Sequence, residues 1–239
     1  STEQLKALGD FYPNGGPTGD IGKNVTMLCS VGWDWVPPVR DRNIGIWLPV
    51  YLKTTGGVTI GNARISSELA GEKDTSYAKL SLGLTLFNHT GSNDMGRLTV
   101  KISPENFRGK SYQFIKNVAV GSDDSNLIEL NADNTRELLF NRPAVWWPNG
   151  YGKPNLYRIR LQYTGQSGLS DDTTFVFGIR SVSSKAVDIN GSWRRDFYVN
   201  GQRIHLTGGA WVPDFMLNRD SLRYDYEMRL CRNANINLV

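Results

Sequence analysis

The sequence has little of what metal and redox chemistry requires. Two cysteines, Cys29 and Cys231, and two histidines, His89 and His205, are all that its 239 residues contain. No group of them has metal-ligand spacing, so a zinc site is excluded and no cofactor is expected. The cysteines lie 202 positions apart, in segments that read as different domains. Two buried thiols are therefore a better reading than a structural disulfide. Long apolar runs are missing as well: no stretch of about 18 apolar residues exists, and no membrane partner is expected. The opening Ser1-Thr2-Glu3-Gln4-Leu5-Lys6 lacks the charged-then-apolar pattern of a signal peptide. Concentrated charge is the last absence. The net charge is +4, with basic and acidic residues numbering five and five over 1–54, fourteen and twelve over 55–182, and eight and six over 183–239. Nothing resembles the basic stripe that phosphate binding needs, which excludes nucleic acid as a partner.

What is present is a globular composition, 39% hydrophobic, 11% aromatic and 21% charged. The middle of the chain is the easiest part to read. Leu80, Leu82, Leu84 and Leu86 alternate with Lys79, Ser81, Gly83 and Thr85, the period of a half-buried strand. Leu98, Val100 and Ile102 repeat the pattern, as do Tyr157, Ile159, Leu161 and Tyr163, and then Phe175, Phe177 and Ile179. Turn clusters at 89–94, 121–125, 131–134 and 164–172 separate them. No helical stretch interrupts 55–182, so this segment predicts an all-β, antiparallel sandwich of immunoglobulin-like size.

The flanks differ. Residues 1–54 offer a glycine-rich loop at 15–20 and two strands, at 26–31 and 45–53, around an aromatic, proline-rich stretch. Two strands make no stable domain, so this is the tail of a preceding β domain or an extension of the sandwich. Residues 183–202 read as a connector with short strands at 187–189 and 196–199 and a tight-hairpin signal at Asn200-Gly201. After it, 203–207 reads as a strand leading into Gly208-Gly209. A helix over 220–234 follows, with Leu222, Tyr226 and Leu230 on one face and Asp220 or Ser221 as its cap, and 235–239 reads as a second strand. Strand, turn, helix, strand is the repeat of a parallel sheet or β/α barrel, and one such unit cannot bury its own strands. The expectation is a piece of a longer protein.

Three strings carry more specific information: Gly32-Trp33-Asp34-Trp35-Val36-Pro37-Pro38 with Arg42–Leu52 behind it, Val145-Trp146-Trp147-Pro148-Asn149-Gly150-Tyr151-Gly152, and Phe197–Gly201 running on to Gly208-Gly209-Ala210-Trp211-Val212-Pro213-Asp214. Together and in this order they resemble glycoside hydrolase family 2, in its exo-β-glucosaminidase and β-mannosidase branch. The resemblance implies three pieces: 1–54 as the end of a jelly-roll sugar-binding domain, 55–182 as the immunoglobulin-like sandwich, and 183–239 as a connector and the start of a β/α barrel. It implies a sugar substrate, a retaining exo-glycosidase acting on terminal β-linked glucosamine or mannose, and a periplasmic or secreted location.

The chemistry of the strings suits sugars. A pyranose presents hydroxyls to a carboxylate and a C–H face to an aromatic ring. The resemblance gives Asp34 a role on substrate hydroxyls and puts Trp211 at the C-terminal end of the first barrel strand, where barrel active sites lie. Each has a structural alternative: a salt bridge for Asp34, packing for Trp211. For Trp33, Trp35, Trp146 and Trp147 packing is the better reading, and for Asp214 a loop or cap. Retaining glycosidases need two carboxylates about 5 Å apart, and the family's acid/base lies in an Asn-Glu pair that this sequence does not contain. No residue of this chain is expected to be catalytic. The competing reading is a stand-alone carbohydrate-binding or adhesive sandwich module, which has no use for 206–239 as written.

Overall fold

The alternating leucines place one face of each middle strand in a common core, and the computed structural model of the protein bears this out. It describes residues 46, 49–211 and 221–239. The loop at 15–20, the strand at 26–31, Trp33, Asp34, Trp35 and Asp214 lie outside these residues. Eight strands, β1 (Val58–Leu69), β2 (Tyr77–Asn88), β3 (Asp94–Pro104), β4 (Tyr112–Val120), β5 (Ser125–Asn131), β6 (Leu139–Asn141), β7 (Tyr157–Gly165) and β8 (Gly168–Phe177), build two antiparallel sheets. One has the order β1-β2-β5 with β6 also on β2, the other β4-β3-β7-β8. The fold is an all-β sandwich.

Leu80, Leu82, Leu84 and Leu86 of β2 are at most 1% exposed and share one core with Leu98, Val100, Ile102, Ile159, Leu161 and Tyr163. Each such leucine contributes roughly 1.5–3 kcal/mol of transfer free energy. At one end of the core Tyr112 stacks on Phe140 with centroids 3.9 Å apart, and the Tyr157 hydroxyl accepts the Ala144 N–H at 2.9 Å. The two sheets are stitched where β1 meets β8: the Ser170 hydroxyl bonds both the N–H and the carbonyl of Val58, and buried Asp171 accepts the Ile60 N–H at 2.8 Å and pairs with Lys53. The side chain of Asn88, 3% exposed, bonds the carbonyls of Ser92 and Gly121 and the N–H of Thr90. It ties two turns together, so the Asn88-His89-Thr90 triplet is a structural device.

Two expectations are corrected here. The loop expected over 164–172 is a tight turn at Gln166-Ser167: β7 and β8 run through the rest, with a register shift after Tyr163 and Gly168 at φ +107°. Serine and aspartate in this stretch read as loop because their polarity masks an edge strand. The strand expected over 45–53 is not formed at Ile46 or over 49–53, which are irregular and exposed. Pro49 has no N–H to give a ladder.

Beyond the sandwich, β9 (Val182–Ile189), β10 (Ser192–Val199) and β11 (Gln202–Ile204) form a small antiparallel sheet. Both of its turns are Asn-Gly pairs with positive φ at each residue, Asn190-Gly191 and Asn200-Gly201, the geometry of the tight hairpin turn that matches strand twist. Asp196, 8% exposed, is clasped by Arg194 on its own strand and Arg203 on β11. The helix α1 (Ser221–Asn233) follows. Its Leu222, Tyr226 and Leu230 are half or more exposed, and the more covered side is Tyr224, Glu227, Met228 and Cys231. The apolar stripe predicts the helix but not the face that packs within this chain.

Candidate functional site

Trp211 is the expected sugar-contacting residue that the structure describes, and its setting is built by α1. One helical turn separates Arg223 from Glu227, so the two side chains meet on one face. The Arg223 Nε–H donates to Glu227 Oε1 at 2.8 Å, and the Trp211 indole N–H donates to Glu227 Oε2 at 2.9 Å. Tyr224 meets the indole edge to face, with centroids 5.1 Å apart and an interplanar angle of 80°. The indole is held by its nitrogen edge, and Trp211 remains 38% exposed. The hydrogen bond from Arg223, and after it that from Trp211, hold the Glu227 carboxyl below the ordinary glutamate value of 4.5. An ionised carboxylate with both oxygens engaged orients a neighbour; it is not a proton donor.

The strand that precedes Trp211 is short. After β11 the chain leaves the antiparallel ladder and pairs on the other side, in parallel, with the residues that follow α1. Gly208 bridges Leu238, the Asn237 N–H donates to the Thr207 carbonyl at 2.9 Å, and the Asn237 amide bonds both the Thr207 N–H and the His205 carbonyl. A Cβ on Gly208 would fall on the Leu238 carbonyl, so glycine is required for this approach. The expected second strand at 235–239 is thus reduced to one bridge. Its direction, parallel and across a helix, is that of a βα step.

The Trp146–Tyr151 string serves this step. The Asn149 amide donates to the carbonyls of Arg232 at 2.8 Å, in the last turn of α1, and of Ile236 at 3.3 Å, just beyond the helix. The Tyr151 hydroxyl accepts the His205 N–H at 2.7 Å. Trp146 is covered by the Arg180 guanidinium, 4.5 Å from the ring centre, and its carbonyl accepts the Asn200 amide at 3.0 Å. Trp147 lies on Gly152. Both tryptophans therefore pack, as their sequence setting suggests.

Asp34, the second expected sugar contact, falls outside the described residues. Glu227 and Asn149 were missed by sequence reasoning. For Glu227 the signal was present, as an Arg/Glu pair at i, i+4 on a predicted helix. For Asn149 there was none, because its partners lie 83 and 87 positions away.

Comparison with known proteins bears on the family and the fold. The family model described as glycosyl hydrolases family 2 matches residues 58–180. A mannosylglycoprotein endo-β-mannosidase of Lilium longiflorum is 32% identical over 97% of this chain and 24% of its own length. An exo-β-D-glucosaminidase of Streptomyces avermitilis is 28% identical over 91% of this chain and 22% of its own. Among solved structures, a β-D-mannosidase from Dictyoglomus thermophilum superposes with a TM-score of 0.76 at 22% identity, covering 99% of this chain and 28% of that one. The chain spans about a quarter of the length of the curated relatives it matches.

Proposed function

The chain belongs to glycosyl hydrolase family 2, and from that membership we propose that it is a non-catalytic part of a retaining β-glycosidase acting on terminal β-linked glucosamine or mannose. In this reading residues 1–54 are the end of a sugar-binding domain, 55–182 the sandwich that holds that domain against a barrel, and 183–239 the connector and first barrel step. The sugar is met by Asp34, through its hydroxyls, and by Trp211, through its C–H face.

The observation that carries the reading is the parallel bridge between Gly208 and Leu238 across α1. A free-standing binding module has no use for a strand–helix–strand step of this kind, whose bridge at Gly208 and Leu238 has no further strand beside it among the described residues. A barrel does, and it places its chemistry at the C-terminal ends of such strands, where Trp211 follows Gly208 by three residues. Glucosaminidase and mannosidase relatives together support a β-linked hexose as substrate class.

The test is an assay of the 239-residue chain, and of the full-length enzyme carrying it, on nitrophenyl β-glucosaminide and β-mannoside. The reading expects turnover on one of the two substrates from the full-length enzyme and none above the buffer blank from the chain alone, since two closely placed carboxylates are needed for acid/base work and the covalent intermediate. Turnover by the chain that survives repurification would sink the non-catalytic assignment. A full-length enzyme inert on both would sink the substrate assignment.

A further inference from the structure

We propose that Glu227 is a positioning residue for substrate recognition: its carboxylate fixes the edge of the Trp211 indole and thereby sets the ring plane offered to the sugar. The inference rests on the reading of Trp211 as the apolar wall of the sugar site.

A tryptophan side chain on a turn rotates about two bonds, and stacking on a pyranose is useful only if the ring plane is set before the sugar arrives. Otherwise the ordering cost is taken from binding. Three contacts fix the plane here. The indole N–H donates to Glu227 Oε2 at 2.9 Å, which anchors one edge. Tyr224 crosses the ring at 80° and limits its swing. The Arg223 guanidinium holds the other carboxylate oxygen at 2.8 Å, so the acceptor itself cannot turn away. Glu227, Tyr224 and Arg223 all come from one turn of α1, a rigid element, which suits a supporting shell. With its N–H given to Glu227, the indole has no other polar atom, and what it can offer a sugar C–H face is its carbon surface.

In this proposal the carboxylate acts on the indole and not on the sugar. Both oxygens are engaged by side-chain donors, and substitution should therefore act through Trp211. This separates Glu227 from a residue that binds hydroxyls directly, whose loss could not be offset by a neutral acceptor.

The experiment has two readouts. In the 239-residue chain, the indole N–H resonance of Trp211, assigned by its loss in Trp211→Phe, is followed from neutral pH to below 4.5. It should shift as Glu227 protonates, and should sit at a different position, without that titration, in Glu227→Gln. In the full-length enzyme, Glu227→Ala should raise KM about 3- to 10-fold with kcat within about twofold, as expected for loss of one partly exposed charge-assisted hydrogen bond that acts on binding alone. Glu227→Gln, which keeps an acceptor oxygen for the indole, should recover most of that loss. If Trp211→Ala raises KM while Glu227→Ala leaves it unchanged, the positioning role is wrong and the sugar wall stands. If Trp211→Ala also leaves KM unchanged, both fall, even where the resonance shows the indole–carboxylate bond intact. An equal loss in Glu227→Ala and Glu227→Gln overturns the positioning role in favour of a direct contact.

Discussion

The Asn149 side chain, in the loop between β6 and β7 of the sandwich, donates a 2.8 Å hydrogen bond to the carbonyl of Arg232, at the end of a helix 83 positions further along the chain. The same amide reaches the Ile236 carbonyl at 3.3 Å, and two residues away in sequence the Tyr151 hydroxyl takes the His205 N–H. One loop therefore holds both strands of the parallel step. The aromatic string is a fastening between the sandwich and the segment around the parallel bridge, in line with the packing reading of its tryptophans.

Asn149→Ala should leave the sandwich intact and loosen that fastening. Losing two bonds to carbonyls at and just beyond the end of α1, one of them long, should cost the segment about 1–2 kcal/mol. Hydrogen exchange is the measurement: amides of Ile236, Asn237 and Leu238 should exchange faster in the variant, while those of Leu80–Leu86, whose side chains are at most 1% exposed where they face the core, should not change. Equal acceleration in both places would mean that the loop supports the core itself.

Asn200 should be the most demanding position outside the core. It is 4% exposed and sits at φ +49°, its N–H and side-chain oxygen both pair with Ser181, and its amide bonds the Trp146 carbonyl. Asn200→Ala should destabilise the chain by about 2–4 kcal/mol, combining the lost bonds with the cost of a left-handed Cβ. Asn200→Gly loses the same side-chain bonds but not the backbone preference, and should be milder by about 1 kcal/mol. Urea unfolding of the two variants measures the difference. Identical midpoints would remove the backbone part of the argument.

Tyr163 gives a prediction on the alkaline side. It is fully buried, and its hydroxyl has no hydrogen-bond partner among the described residues. Burial, and the neighbouring Asp94 carboxylate, push its pKa up to about 12 from the ordinary 10.0. The folded state thus favours the neutral phenol. The stability this contributes is complete below pH 10 and is lost as pH rises from there towards 12. Tyr163→Phe should change stability at neutral pH by less than about 1 kcal/mol, because no bond is broken. It should also flatten the fall in melting temperature above pH 10. A variant that keeps the wild-type alkaline slope would assign that slope to another group.

Much of the sandwich and of the small sheet after it was legible because the signal is local. Leu80, Leu82, Leu84 and Leu86 state a strand and its buried face in one line, and Asn200-Gly201 states a hairpin in two residues. Asn190-Gly191 carries the same signal but is missed in the sequence, because its polar neighbours read as connector. Elsewhere the local signal is ambiguous. Leu222, Tyr226 and Leu230 make a helix certain without saying what covers them. Ser170 and Asp171 look like loop residues but lie in an edge strand, where they bond the backbone of β1. The site was legible only in part. Trp211 is marked by the glycines before it, whereas the carboxylate that holds its ring becomes visible only once α1 brings residue 227 back to residue 211.

The most direct test of the whole account is Asp34→Ala in the full-length enzyme, followed by both kinetics and thermal unfolding. If Asp34 accepts hydroxyls of the terminal sugar, its loss removes a charged acceptor worth roughly 1.5–3 kcal/mol, or about a 10- to 150-fold drop in kcat/KM. The melting temperature should then stay within the error of the wild type. Wild-type kcat/KM together with a lowered melting temperature would make Asp34 half of a structural ion pair, and would contradict the claim that this chain brings a sugar-binding side chain to the catalytic barrel.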